Sequence, residues 1–415
     1  MSSVKAEIIS IGNELLAGIT VNTDAAYLAR QLRSIGIETL WITTIADEKE
    51  AILSALKNAS QRARVVITTG GLGPTPDDIT KRSICEFFGV QLQFNSEVFE
   101  DVRRFVSNRK FFLNKVNREQ AVIPQCERVL RNFKGTAPGL YFKRGQVHYF
   151  FLPGVPHEVY HLTEKDILPL LREIFDLHPL PSHLLRTTGI PESRIIEKIG
   201  DLVEEHKTIR MAFLPRFRGV DLRFTAPDTN PRTLAEFEAL ISGVRQRLKK
   251  YIFTEKELDI EEIIGRILKM KTLTLSVAES FTGGLIGDMI TNIPGSSDYF
   301  LGAAVTYSNE SKRHLLGVQA ETLEKYGAVS EQTVREMVRG VQKLFGSDCA
   351  LATTGIAGPT GATESKPIGL CYIAARWGNE ERVHEFRFGT ERLMNKKRGA
   401  VAALELLRRL LLKID

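Results

Sequence analysis

The chain has little that would staple it covalently or hold a soft metal. Its four cysteines, Cys85, Cys126, Cys349 and Cys371, form no C-x-x-C pair, so neither a zinc ribbon nor a disulfide framework is expected. No apolar run is long enough to cross a bilayer, and the opening Met1-Ser-Ser-Val-Lys-Ala-Glu7 has no apolar leader core. These features predict a soluble, cytoplasmic, reducing setting with no membrane partner. Low-complexity tracts and tandem repeats are missing, and no glycine loop ends in G-K-[ST], which excludes a Walker site. The net charge of +6 is small for 415 residues. It suits phosphate-bearing small ligands better than a dedicated DNA surface, so no nucleic-acid partner is expected. The densest basic cluster near the C-terminus, Lys396-Lys-Arg398, reads as a solvated helix start.

What is present is a globular composition too long for one core, which predicts two or three domains. Two glycine loops stand out, each following an apolar, β-rich run. One is Val65-Val-Ile-Thr-Thr-Gly-Gly-Leu-Gly-Pro-Thr-Pro-Asp-Asp78, and the other is Ser276-Val-Ala-Glu-Ser-Phe-Thr-Gly-Gly284. Both have the grammar of a strand running through a loop into a helix, an arrangement that aims backbone N–H groups at a ligand.

Around the first loop, strand-like runs (Ala6–Ile11, Thr39–Ile45, Val65–Thr69) alternate with helical patterns ending near Ile35 and Arg62. Such alternation predicts a parallel sheet covered on both faces, with ligands beyond the carboxyl ends of the strands. Glu14, Gly70, Gly71, Gly73, Asp77 and Asp78 fall at those ends. The glycines would let backbone approach a phosphate, and the carboxylates would hold a hard divalent cation. The competing reading is a tight turn whose aspartates cap the next helix. A zinc-protease pattern also occurs, His157-Glu-Val-Tyr-His161. Pro156 puts His157 and Glu158 in a first helical turn, and Glu164 lies about 10 Å further along. The pattern is expected to be coincidental.

Pro179-Leu-Pro-Ser182 punctuates the chain, and a small α+β module follows. Arg216 and Arg218 sit between two of its strands, positioned either for a phosphate or simply for solvent. The predicted domains are 1–177, 178–258 and 259–415. In the last one, Ala350–Pro359 is a further strand ending in glycines. A serine nucleophile needs a base, and a desolvated lysine can serve, with tyrosine assisting. Ser280, Tyr307 and Lys312 supply those groups. His314 is the other candidate base, and a helix N-cap is the other reading of Ser280.

Several motifs taken together carry a resemblance. In the first half they are Asn22-Thr-Asp24, the glycine–aspartate loop, Lys134-Gly-Thr-Ala-Pro-Gly139 and Leu152-Pro-Gly-Val-Pro156. In the second half they are Ala-Glu-Ser-x-Thr-Gly-Gly, Pro294-Gly-Ser-Ser297, Thr306-Tyr-Ser-Asn309, Gly327-Ala-Val-Ser330 and Thr354-Gly-Ile-Ala-Gly-Pro359. The chain resembles the competence/damage-inducible CinA family along nearly its whole length. That resemblance implies an α/β chain with three parts. These are a three-layer α/β/α molybdopterin-binding-like domain, a small α+β KH-like module, and a three-layer α/β/α CinA domain. It implies amide hydrolysis of nicotinamide mononucleotide (NMN) to nicotinate mononucleotide and ammonia by Ser280, Tyr307 and Lys312. Substrate contacts are expected from Glu279, Thr282, Gly283, Gly284, Gly355, Ala357 and Gly358. For the N-terminal domain it implies ADP-ribose pyrophosphatase activity. A divalent cation (Mg, Mn or Co) would sit on Asp77, Asp78 and Glu14, with Asn22, Thr23, Gly70, Gly71 and Gly73 around the nucleotide. A homodimer is implied too. The chain departs from the family pattern at Phe281, commonly cysteine, and at Gly361-Ala-Thr363. The reading from a different class is a nucleotide-binding sensor or scaffold without turnover.

Overall fold

The structure, a computed structural model, describes residues 4–73, 79–108 and 115–414, divided between a first unit, Met1–Pro179, and a second, Leu180–Asp415. In chain order, the first unit holds β1 (Lys5–Ile11), α1 (Asn13–Leu16), α2 (Thr23–Ser34), β2 (Glu38–Ile45), α3 (Lys49–Arg62), β3 (Val65–Thr69) and α4 (Thr80–Phe88). It continues with β4 (Leu92–Phe94), α5 (Ser96–Asn108), α6 (Lys115–Glu119), β5 (Val122–Pro124), β6 (Arg128–Leu130), β7 (Gly139–Arg144), β8 (Val147–Leu152), α7 (Pro156–Leu162) and α8 (Leu168–Ile174).

Alternation of apolar residues on both faces makes this unit layered. Ala6 and Ile8 of β1, with Val65 and Ile67 of β3, enter the core under α2, α7 and α8. Ile9 and Ile11, with Val66, enter the opposite core under α3, α4 and α5. The sheet order is β2-β1-β3-β8-β7-β6. The first four strands are parallel, as the βαβ rhythm predicts. The sheet is nonetheless mixed, because β7 and β6 are antiparallel. Gly145-Gln146 joins Arg144 to its paired Val147 in a two-residue hairpin, a link that only antiparallel strands accept.

The second unit holds β9 (Ser182–Thr187), α9 (Glu192–Glu205), β10 (Arg210–Arg216), β11 (Gly219–Thr225), α10 (Pro231–Leu248) and β12 (Ile252–Thr254), then α11 (Ile260–Lys271), β13 (Leu275–Glu279), α12 (Leu285–Thr291), β14 (Phe300–Val305) and α13 (Asn309–Leu316). It ends with α14 (Ala320–Tyr326), α15 (Glu331–Phe345), β15 (Cys349–Gly355), β16 (Leu370–Trp377), β17 (Glu380–Arg387) and α16 (Arg392–Leu412). A four-stranded antiparallel sheet, β10-β11-β9-β12, carries α9 and α10 on its core face. A five-stranded sheet, β14-β13-β15-β16-β17, follows. Leu275 and Val277 face the core with α11, α12 and α16, while Ala278 faces the core with α15.

Arg216 and Arg218 both engage carboxylates, Arg216 from a half-exposed position. Arg216 pairs with Asp221, and Arg218 pairs with Asp259 and Glu261 at the start of α11. With Arg186 bonded to Asp221 and Asp259, these pairs fasten the small antiparallel sheet to the last domain. Helix α16 begins five residues before the pattern at Lys397 predicts. Glu391 caps it by accepting from the N–H groups of Leu393 and Met394.

Candidate active site

The second loop is built from the sheet outward. Ser280 follows β13 directly, and its N–H donates to Thr353 O of β15 at 3.1 Å. On the other side, Thr306 N–H donates to Glu279 O at 2.8 Å, so the loop is pinned between β14 and β15. The chain after Thr306 turns into α13, whose N-cap Ser308 accepts from Ser311 N–H. That turn drives Lys312 back toward the sheet. Its ammonium nitrogen lies 3.1 Å from Ser280 Oγ, 2.8 Å from Thr306 O and 3.3 Å from Tyr307 O. Lys312 is 1% exposed and Ser280 8%. Among the described residues no carboxylate accompanies the lysine, and burial lowers its pKa from 10.5 to about 8.

That geometry surrounds the nitrogen with three oxygen acceptors. A neutral amine has two hydrogens and one lone pair. The two carbonyls, Thr306 O and Tyr307 O, accept the hydrogens. Ser280 Oγ accepts a third hydrogen from the protonated amine at 3.1 Å, and only after loss of that proton would a lone pair face the hydroxyl. His314 offers nothing comparable, because it is exposed on α13 beside Glu310.

The strand–loop–helix grammar misleads in one respect. The first amides of α12 are not free for a ligand. The fully buried carboxylate of Glu279 accepts from the N–H groups of Gly284, Ile286 and Gly287 at 2.9, 3.1 and 2.9 Å. Glu279, expected to contact substrate, is therefore the helix cap, and Ser280 is not. Gly283 N–H is likewise occupied by Ser280 O. Thr282 is buried against Thr353, hydroxyl to hydroxyl at 2.8 Å. Gly284 keeps its role as a turn former at φ +93. Among the described residues, nothing accepts from the N–H groups of Phe281 and Thr282. Gly355 is explained by its neighbour strand, since a Cβ there would lie 2.4 Å from the Cβ of Cys371.

Tyr307 is 62% exposed. Its hydroxyl accepts from Arg392 at 3.0 Å and makes no bond to Ser280 or Lys312. The same guanidinium donates to Gly358 O. One turn further along α16, the nitrogen of Lys396 lies 3.3 Å from where a Cβ on Gly283 would be. Asn395 donates to Ala357 O and Gly389 O, tying the helix to that loop. Of the cluster read as a solvated helix start, Lys396 reaches the serine loop, while Lys397 and Arg398 are exposed. Arg392, Asn395 and Lys396 are site residues that sequence reasoning missed. Their signal, basic residues one helical turn apart, becomes visible once the helix is started at Glu391.

The first unit gathers a different set of groups. Gly70 follows β3 at φ +102, and a Cβ there would lie 2.2 Å from Ile11 O. A Cβ on Gly71 would meet the Thr80 hydroxyl at 1.9 Å. These glycines are required by the fold's own close approaches. Asn22 caps α2 and donates to Ser10 Oγ at 2.8 Å, and Thr23 beside it is exposed. Glu14 is exposed over Gly12. Asp47, not singled out from sequence, accepts from Asn13 N–H. Asp24 is 7% exposed with one carboxylate oxygen unpartnered, and burial raises its pKa to about 6. Asp77 and Asp78 lie outside the described residues, while Gly73 lies just inside them. The three side chains of the zinc-protease pattern engage separate partners. Glu158 meets Asn132, His157 meets Lys134 O, and His161 meets the Phe133 ring.

Comparison with known proteins covers the whole chain. Residues 257–411 match the CinA C-terminal domain, 182–254 the damage-inducible protein CinA KH domain, and 7–173 a family described as "Probable molybdopterin binding domain". A CinA-like protein of Chloroherpeton thalassium is 40% identical over 418 residues, covering 98% of this chain and 99% of that one. A CinA-like protein of Kosmotoga olearia is 39% identical, covering 99% and 100%. Among solved structures, the competence/damage inducible protein CihA of Agrobacterium tumefaciens is 37% identical, with 38% of this chain and 99% of that one covered and a TM-score of 0.35. No helix among the described residues is long and apolar enough to cross a membrane.

Proposed function

The chain belongs to the CinA family, and we propose that it hydrolyses the carboxamide of NMN to nicotinate mononucleotide and ammonia. The observation that carries this reading is the buried Lys312 amine 3.1 Å from Ser280 Oγ. A binding module has no use for a desolvated lysine against a hydroxyl, whereas a serine nucleophile requires such a base. Ser280 Oγ attacks the carboxamide carbon and passes its proton to Lys312. The N–H groups of Phe281 and Thr282 face the developing oxyanion. When the tetrahedral adduct collapses, the C–N bond breaks, and Lys312 returns the proton to the leaving nitrogen as ammonia. Water then cleaves the acyl ester with the same base, releasing the carboxylate and restoring Ser280. Arg392 and Lys396 hold the 5′-phosphate, and Tyr307, bonded to Arg392, walls that side of the pocket.

For the first unit the reading is hydrolysis of ADP-ribose at its pyrophosphate. The hard oxygen donors Asp77, Asp78 and Glu14 suit Mg, Mn or Co, and the unpartnered buried oxygen of Asp24 fits the same chemistry. A cation there would neutralise pyrophosphate charge, with Asn22 and Ser10 orienting the nucleotide. The protein is read as a cytoplasmic homodimer acting on small nucleotides.

One incubation tests both halves. The full chain is given NMN and ADP-ribose, with and without chelator, and the products are identified. Ammonia and nicotinate mononucleotide should form in chelator, while ADP-ribose cleavage should require added metal. NMN bound but unchanged would replace the amidase reading with the sensor.

A further inference from the structure

Helix α16 touches the nucleophile loop at one unusually close point. A Cβ on Gly399 would lie 2.3 Å from Phe281 Cζ and 2.8 Å from Cε2. Phe281 is 4% exposed, inside an apolar core shared with Ala357, Ala400 and Leu404, so its ring has nowhere to swing. Phe281 is bonded directly to Ser280. Gly399 lies one helical turn beyond Lys396 and two beyond Arg392. The two ends of this contact are fixed separately. Ser280 is held by Thr353 O and Lys312, and α16 is held by Asn395 through Ala357 O and Gly389 O. Within the packing that seats α16 on the sheet and on α11 and α12, the Phe281 ring is the spacer directly between the nucleophile loop and the basic turn.

We infer that Phe281 and Gly399 form a positioning pair that fixes the span between Ser280 and the Arg392–Lys396 turn, and so selects the substrate by the distance from its carboxamide to its phosphate. This inference rests on the NMN reading. It assigns the residue after the nucleophile a role in ground-state binding and none in proton transfer. A methyl group at Gly399 pushes the basic turn away while the serine–lysine pair stays pinned to the sheet. Loss of grip on the anion therefore raises KM more than it lowers kcat.

The test uses the full chain with NMN as the probe. Ammonia release gives KM and kcat, and calorimetry in a Ser280→Ala background gives Kd. Gly399→Ala should raise KM and Kd about tenfold or more, with kcat within about threefold, since ångström shifts of a binding group carry such effects. Phe281→Leu combined with Gly399→Ala restores space for the methyl group and should return KM to within about threefold of the parent. An unchanged KM in Gly399→Ala, a fall in kcat alone, or a double variant no better than the single one overturns the inference. If Gly399→Ala does not fold, Phe281→Ala replaces the clash by a gap and should raise KM as well; an unchanged KM there overturns it equally. A chain that binds NMN without releasing ammonia defeats the amidase reading only, and Kd then decides the positioning pair. A chain that does not bind NMN defeats both.

Discussion

The two glycine loops share one grammar and build opposite chemistries. After β3, Gly70 and Gly71 are pressed against Ile11 O and the Thr80 hydroxyl, and the groups around them are oxygen donors: Ser10, Asn22, Asp24 and Asp47. After β13, the loop's helix amides are already filled by Glu279, and what it presents is a hydroxyl against a buried amine. A glycine-rich strand–loop–helix therefore does not by itself announce a phosphate cradle. Whether the first residues of the helix are free depends on the side chain just before the loop. A glutamate there satisfies them internally, leaving the loop's hydroxyl and its buried amine partner as what it offers.

That contrast can be broken by disabling one loop while the other serves as control. Lys312→Met should lower ammonia release from NMN by about a thousandfold or more, and Lys312→Arg should do the same because a guanidinium keeps its proton. ADP-ribose cleavage should be unaffected in both; parallel loss would mean the lysine supports the whole fold. Arg392→Ala should raise KM for NMN about 10- to 100-fold with little change in kcat, the range expected for a lost charge-assisted bond. A fall in kcat at constant KM would move Arg392 into the chemistry.

Smaller effects sharpen the comparison. Lys312 acts as a base only when neutral, and its pKa is lowered to about 8. kcat/KM for NMN should therefore rise with pH through that value, by roughly tenfold between about pH 7 and pH 9, and level off above. ADP-ribose cleavage should lack this limb. Glu279→Gln removes one acceptor from the three amides it caps. It should destabilise the second unit by about 1–3 kcal/mol, seen as a lowered melting transition, with the catalytic pair retained.

How far the sequence discloses this arrangement differs by element. Short apolar, β-rich runs with Gly, Pro and hydroxyl punctuation expose β1, β3 and β13, and Ser330 at the end of Gly327-Ala-Val-Ser330 caps α15 by accepting from Thr333 N–H. The antiparallel edge of the first sheet hides in Gly145-Gln146, a two-residue turn easily passed over inside a longer βα rhythm. Helix α16 starts at a glutamate cap, and the polar run Asn395-Lys-Lys-Arg398 separates its first turn from the apolar pattern beyond, so Arg392 and Lys396 drop out of the site. Glu279 looks like a ligand contact in sequence because a buried cap and a substrate carboxylate use the same residue type. Asp47 sits among the acids Glu48 and Glu50 after an edge strand, and only folding brings it beside Asn13. The pairing of Ser280 with Lys312 is 32 residues apart and rests on two strands ending side by side, which residue spacing alone does not encode. The aspartates at 77 and 78 lie outside the described residues.

The most direct test of the central claim is ammonia release by Ser280→Ala at saturating NMN in the presence of chelator. A fall of about a thousandfold or more, with ADP-ribose cleavage intact once metal is restored, is the predicted result. Undiminished ammonia release would contradict the serine–lysine site.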